Sequence, residues 1–231
     1  MMDIVYVRGG DKLAPKVAKM AGMKYGTRHD YKAYDSVYML DIHWSDYDWS
    51  DYLAILAQHK PTAAMVADYE HPSQRETMLN QVRDLREIGI QRVMCCPKFV
   101  GAIADIPDDV ILALSVPTEY AGFLPYPDEV GTRKVHLLGG SPDAQAYCIY
   151  VKYPRAQVVS LDGNTLARKA GLGQFWSANR GKWIQTPPRR FSSELLMIYS
   201  ARNIVKYLQT KPSHNWRSKA VKRCFYTEQL F

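Results

Sequence analysis

Three aspartates each close a short apolar run. Asp41 follows Val37-Tyr38-Met39-Leu40, Asp68 follows Ala63-Ala64-Met65-Val66-Ala67, and Asp162 follows Val158-Val159-Ser160-Leu161. A carboxylate so placed can attack an anomeric carbon as nucleophile, while a second carboxyl delivers and recovers the proton of the departing and arriving groups. A third can accept hydrogen bonds from the donor edge of a guanine-like base. Glycosidic exchange is the chemistry these residue types suggest. Acids at strand ends also serve as helix caps, so a single one says little. Three such acids together say more.

Other polar residues stand near them. Gly139-Gly140-Ser141, just before Pro142, offers free amides for a phosphate at a helix start, although Gly-Gly also serves simply as a turn. Gly163 permits close approach of a substrate to the backbone beyond Asp162, and His43, Lys98 and Asn164 are further candidate substrate contacts. His71 precedes a proline and reads as a loop residue, whereas His136 lies inside its run and reads as packed. Trp44, Trp49, Tyr69, Phe175 and Trp176 offer rings that can sandwich a base, and a barrel core or rim needs such rings as well.

These groups converge only if the runs are parallel strands. Runs 134–138 and 157–161 are separated by one helix's length of chain, and a helical crossover returns a chain to the same end of its sheet. Gly139, Gly140 and Asp162 then lie side by side. Strand-like runs recur at 4–7, 37–42, 63–68, 92–96, 110–116, 134–138, 157–161 and, more weakly, 182–185. Helices are predicted from Asp11 to Ala21, from an N-cap at Ser50, and from a capping box at Ser73 and Glu76. Further helices begin at Ser141-Pro142 and at Ser193, the last ending before Pro212, while 99–109 lack periodicity. The pattern predicts one domain over 1–231: a compact α/β chain forming a (β/α)8 TIM-type barrel, with a basic C-terminal helical segment from about 186. An open doubly wound sheet is the alternative. In a barrel, the C-terminal strand ends build the active site, and the acids fall there.

Composition narrows the partners. No apolar run nears the roughly 20 residues of a membrane span, and the N-terminus lacks a signal peptide's basic flank, so a cytoplasmic protein is expected. Cys95, Cys96, Cys148 and Cys224 lack metal-ligand spacing and read as buried thiols; no metal or cofactor is expected. The net charge of +7 is concentrated at one end, since 11 Lys or Arg face two Glu from Arg180 onward. Such asymmetry points to a polyanion, with Arg189, Arg190, Lys206, Arg217, Lys219, Lys222 and Arg223 as candidate phosphate contacts.

The stretch from Val135-His136-Leu137-Leu138-Gly139-Gly140-Ser141-Pro142 to Val158-Val159-Ser160-Leu161-Asp162-Gly163-Asn164-Thr165-Leu166-Ala167-Arg168 resembles the end of the barrel in archaeal-type tRNA-guanine transglycosylases. It is most similar to their phage and bacterial branch, the DpdA-like 7-deazaguanine DNA transglycosylases. The likeness spans 134–168 and is looser at Leu40-Asp41 and Ala67-Asp68. It implies that Asp162 is the nucleophile, Asp41 the acid–base group and Asp68 the reader of the incoming base. It also implies DNA as partner and a 7-deazaguanine, such as the 7-cyano form, as the base inserted. If phage-encoded, the chain would work in the host cytoplasm and shield DNA from restriction. The Asp-Ser-Gly-Gly-Phe-Gln signature and the zinc-binding cysteines of the tRNA enzymes are absent, which favours a DNA substrate. The rival readings are a tRNA-guanine transglycosylase, a free-nucleoside deoxyribosyltransferase, and a non-enzymatic nucleic-acid-binding barrel. A homodimer or a DNA-opening partner protein is compatible with each polymer reading.

Overall fold

The computed structural model describes residues 2–43, 45–116, 123–187 and 191–210. Eight parallel strands close into a barrel in simple sequence order: β1 (Asp3–Val7), β2 (Lys24–Arg28), β3 (Met39–Asp41), β4 (Ala63–Met65), β5 (Arg92–Cys95), β6 (Ile111–Ser115), β7 (Lys134–Leu138) and β8 (Gln157–Gly163). β1 closes the ring on β8, with Val5 opposite Asp162. Strands covered on both faces read as near-continuous apolar runs rather than alternating ones, which is why Ile111–Ser115 and Ala63–Met65 contain so little polarity.

One expected strand is misplaced. Residues 182–185 form β10 (Lys182–Gln185), which pairs antiparallel with β9 (Gln174–Ser177) in a hairpin outside the barrel. The missing barrel strand is β2, whose sequence Lys-Tyr-Gly-Thr-Arg has charged ends and a central glycine. That glycine is needed, because a Cβ on Gly26 would lie 2.9 Å from Val7 and 3.0 Å from Val5. Close strand approach removed the apolar side chain that would have announced the strand.

The helices are α1 (Leu13–Ala21), α2 (Trp49–His59), α3 (Arg75–Glu87), α4 (Pro127–Val130), α5 (Pro142–Tyr147), α6 (Thr165–Gly171) and α7 (Ser193–Gln209). Two helix starts differ from expectation. Asp48, not Ser50, caps α2, its side chain accepting from the Asp51 amide. His71, not Ser73, opens the turn before α3, in a reciprocal box with Gln74. α5 runs on into a π-helical turn, Cys148–Lys152. Only a 3-10 turn, Ala102–Asp105, follows β5, and no helix lies between β2 and β3. These omissions make the barrel compact.

Side chains two apart on a strand share a face. Asp3, Val5 and Val7 therefore descend from the barrel mouth, where Val7 lines a cavity, to its floor. On that floor Asp3 accepts from Arg92 (2.7 Å) and from the Tyr38 hydroxyl (2.8 Å). β1 and β5 lie on opposite sides of the ring, so this ion pair spans the barrel base. In the middle, His136 is fully buried and its Nδ1 lies 2.8 Å from Ser160 Oγ. Burial drives its pKa down to about 3, so the imidazole is neutral and packed, as its position within the strand suggested.

Candidate active site

At the C-terminal ends of the strands lies a cavity of about 280 Å³. Asp41 from the end of β3, Asp68 beyond β4 and Asp162 near the end of β8 all line it, together with Gly139, Gly140 and Asn164. The three acids therefore meet at the expected end of the barrel.

Their surroundings differ. Gly139, at φ +61°, aims its amide at Asp162 Oδ1, 2.5 Å away. Buried Gln145 ties the same strand ends together, donating to the Gly139 carbonyl (2.7 Å) and the Asp162 carbonyl (2.5 Å). Burial raises the Asp162 pKa to about 6, and the Gly139 amide opposes that rise. Asp41 is pushed further, to about 8, first by burial and then by the negative charges of Asp162 and Asp68. The Ile42 amide and, more weakly, the positive charge of Arg28 oppose this rise at Asp41. Of these two carboxyls, Asp41 is predominantly protonated at neutral pH and Asp162 predominantly ionised. Pairs of carboxyls held apart in this way divide the acid and nucleophile roles in glycosyl chemistry.

Lys98 is not itself a lining residue, but its Nζ lies 3.4 Å from Asp68 and donates to Ser115 Oγ at 3.2 Å, and both of those line the cavity. Cys96 Sγ lies 3.6 Å from the same hydroxyl, and burial pushes its thiol up to about 12, which leaves it inert as a nucleophile. On the opposite wall Arg28 is held by Asp30 through two hydrogen bonds of 2.5 Å and covers the Tyr31 ring. Arg28, Ser115 and Gln145 were not foreseen from sequence. Arg28 was lost with β2, and Ser115 ends an apolar strand without an acid to mark it.

Several expectations need correction. His43 does not line the cavity; its Nδ1 accepts from the Ser45 and Asp46 amides and holds a turn. The Gly139 amide is taken by Asp162 rather than left for a phosphate, and α5 has only six residues. Gly140 has a tighter role, since a Cβ there would fall 2.6 Å from Val116. The rings expected to sandwich a base are elsewhere: Trp176 and Tyr69 are buried, Trp49 donates to Asp84, and Phe175 packs on Tyr199. Lys206 lies near the C-terminal end of α7, close to where Leu208 meets Met2 and Val158 at the barrel floor, away from the cavity. Trp44, Arg189, Arg190, Arg217, Lys219, Lys222 and Arg223 lie outside the described residues. Among the described residues no helix is long and apolar enough to cross a membrane, and no three His, Cys, Asp or Glu side chains are placed to share a metal ion.

Two solved structures are similar over most of the chain. The BexX/CysO complex of Amycolatopsis orientalis is 12% identical, covering 91% of this chain and 93% of that one, at a TM-score of 0.49. PhdJ bound to a substrate intermediate is 10% identical, covering 90% and 75%, at a TM-score of 0.42. Likenesses this distant carry no weight for the chemistry of the site. No curated protein matches the sequence. A family model described as "Family of unknown function (DUF6610)" matches residues 16–209, and the chain belongs to that family.

Proposed function

We propose that the protein is a base-exchange glycosyltransferase that replaces guanine in DNA with a 7-deazaguanine derivative. The observation carrying this reading is the unequal carboxyl pair, Asp162 near 6 and Asp41 near 8, in one cavity at the catalytic end of a barrel. The choice of base and polymer rests on the sequence resemblance over 134–168 and on the basic C-terminal region.

The Gly139 amide engages Oδ1 of Asp162, so Oδ2 makes the attack on C1′. The C1′–O bond forms as the C1′–N9 bond breaks, and the electron pair leaving with guanine takes a proton from Asp41. In the second half, the incoming base loses its N9 proton to Asp41 and its nitrogen bonds to C1′. The ester breaks, Asp162 returns to its carboxylate, and Asp41 is again protonated. Asp68 accepts from the ring and amino N–H groups of the base, while Lys98 and Ser115 supply donors to its carbonyl. Removing guanosine from the stack costs a few kcal/mol, which binding along the strand must offset.

The test is incubation with radiolabelled guanine and either DNA, tRNA or free deoxynucleosides. Label is expected in DNA, and none with Asp162→Asn. Label in tRNA alone would support the tRNA transglycosylase reading, and label in nucleosides alone a deoxyribosyltransferase. No label despite tight DNA binding would favour a non-enzymatic barrel.

A further inference from the structure

The cavity is too small to explain how a polymer is held, and the rings once expected to stack a base lie elsewhere. α7 offers another surface. Leu195, Tyr199, Arg202 and Lys206 are spaced by four, three and four residues, so they fall on one side of the helix. All four are exposed, Leu195 at 51% and Tyr199 at 52%. The stripe is about 16 Å long, from eleven residues at about 1.5 Å each. Phe175 of β9 packs against the Tyr199 ring at 5.4 Å and steadies it.

Charge indicates what covers this stripe. Among the described residues from 165 to 210 the cations are Arg168, Lys169, Arg180, Lys182, Arg202 and Lys206, and the sole acid is Glu194. Glu194 is occupied by Lys16 at 2.6 Å. Arg202 donates its Nε to the Met20 carbonyl, which anchors an otherwise exposed guanidinium whose remaining N–H donors can meet an anion. An exposed ring beside exposed cations is the arrangement on which single strands bind, with bases stacking on the ring and phosphates meeting the cations. The stripe also connects to the cavity. Asn164 lines the cavity, Arg168 follows one turn into α6, and α6 packs on α7.

We propose that the outer face of α7, with Tyr199 as stacking ring and Arg202 and Lys206 as phosphate contacts, is a docking track for single-stranded nucleic acid. The track deepens the proposed polymer substrate and rests on that reading. It also gives Lys206 a role despite its distance from the cavity: it holds strand flanking the target nucleotide.

The test is fluorescence anisotropy with a labelled oligodeoxythymidine of about 20 nucleotides at about 50 and about 200 mM salt. Tyr199→Ala is expected to weaken binding about tenfold and Tyr199→Phe to restore it. Arg202→Gln with Lys206→Gln should weaken binding at low salt and reduce the salt slope by about 1 to 2. The oligothymidine carries no guanine, so the assay reads binding alone, which separates this inference from the catalytic one. Unchanged affinity in both the Tyr199→Ala and the double variant overturns the track, even if base exchange on DNA is observed. Binding to anionic vesicles but not to the oligonucleotide would overturn it in favour of a membrane surface.

Discussion

The two ends of this barrel use charge in opposite ways. At the floor, Asp3 meets an arginine and a phenol, and the ion pair braces β1 against β5. At the mouth, three carboxyls converge; Lys98 pairs with Asp68 rather than with Asp41 or Asp162, and Arg28, itself held by Asp30, only partly offsets the crowding at Asp41. The floor chemistry is complete in the folded protein, whereas the mouth keeps Asp41 protonated up to about pH 8 at a cost to stability. Partnered charge signals architecture, and crowded like charge in a cavity signals chemistry. The contrast follows the general division of labour in barrels, with stability at the N-terminal strand ends and catalysis at the C-terminal ends.

The largest effect that would sharpen this contrast is loss of Asp162, the proposed nucleophile. Asp162→Asn is expected to lower base exchange by about a thousandfold or more with the fold intact, measured by label incorporation and circular dichroism. Asp41→Asn should lower exchange by about a hundredfold and, unlike most core changes, raise stability by about 1 to 2 kcal/mol at pH 8. The sign follows from linkage. The folded state holds a proton on Asp41 that the unfolded chain releases near pH 4, so the native carboxyl becomes a growing liability between about 4 and 8. The gain should vanish in melts below about pH 4. If it persisted there, packing rather than ionisation would be its cause.

The pH profile is a third probe. The proposed mechanism needs Asp162 ionised and Asp41 protonated, so kcat/KM should rise towards about pH 6 and fall beyond about pH 8. Because the two carboxyls interact, these limbs belong to the pair. Gly140→Ala should cost about 1 to 3 kcal/mol, because its Cβ meets Val116 at 2.6 Å and its φ is +83°. At the floor, Arg92→Met should cost about 1 to 3 kcal/mol in denaturant melts while leaving activity per folded molecule unchanged. If activity fell with it, the two ends would not be independent.

Much of this arrangement was visible in the sequence, for a physical reason. Strands buried on both faces are apolar throughout, so the aspartates ending β3 and β8 stand out, and the helical spacing between β7 and β8 gives their direction. The same logic concealed β2. Gly26 is small because neighbouring strands press on it, and its neighbours Lys24 and Arg28 look like loop residues. Arg28 was lost with it. Gln145 was hidden differently, since it lies on a helix and acts through two carbonyls that carry no sequence identity. The hairpin residues Lys182–Gln185 carry an aromatic and β-branched pair, Trp183-Ile184, that suits a strand, but nothing local distinguishes a barrel strand from a hairpin packed outside it. His43 has the right residue type at the right strand end, yet turn geometry claims its nitrogen.

The most direct test is to trap the covalent intermediate. The protein would be incubated with guanine-containing single-stranded DNA at about pH 7, without added base, then denatured and resolved by mass spectrometry. The central claim predicts a protein–DNA adduct mapping to Asp162, absent with Asp162→Asn and discharged by adding a 7-deazaguanine. An adduct that persists in Asp162→Asn, or label exchange with no adduct under any condition, would contradict it.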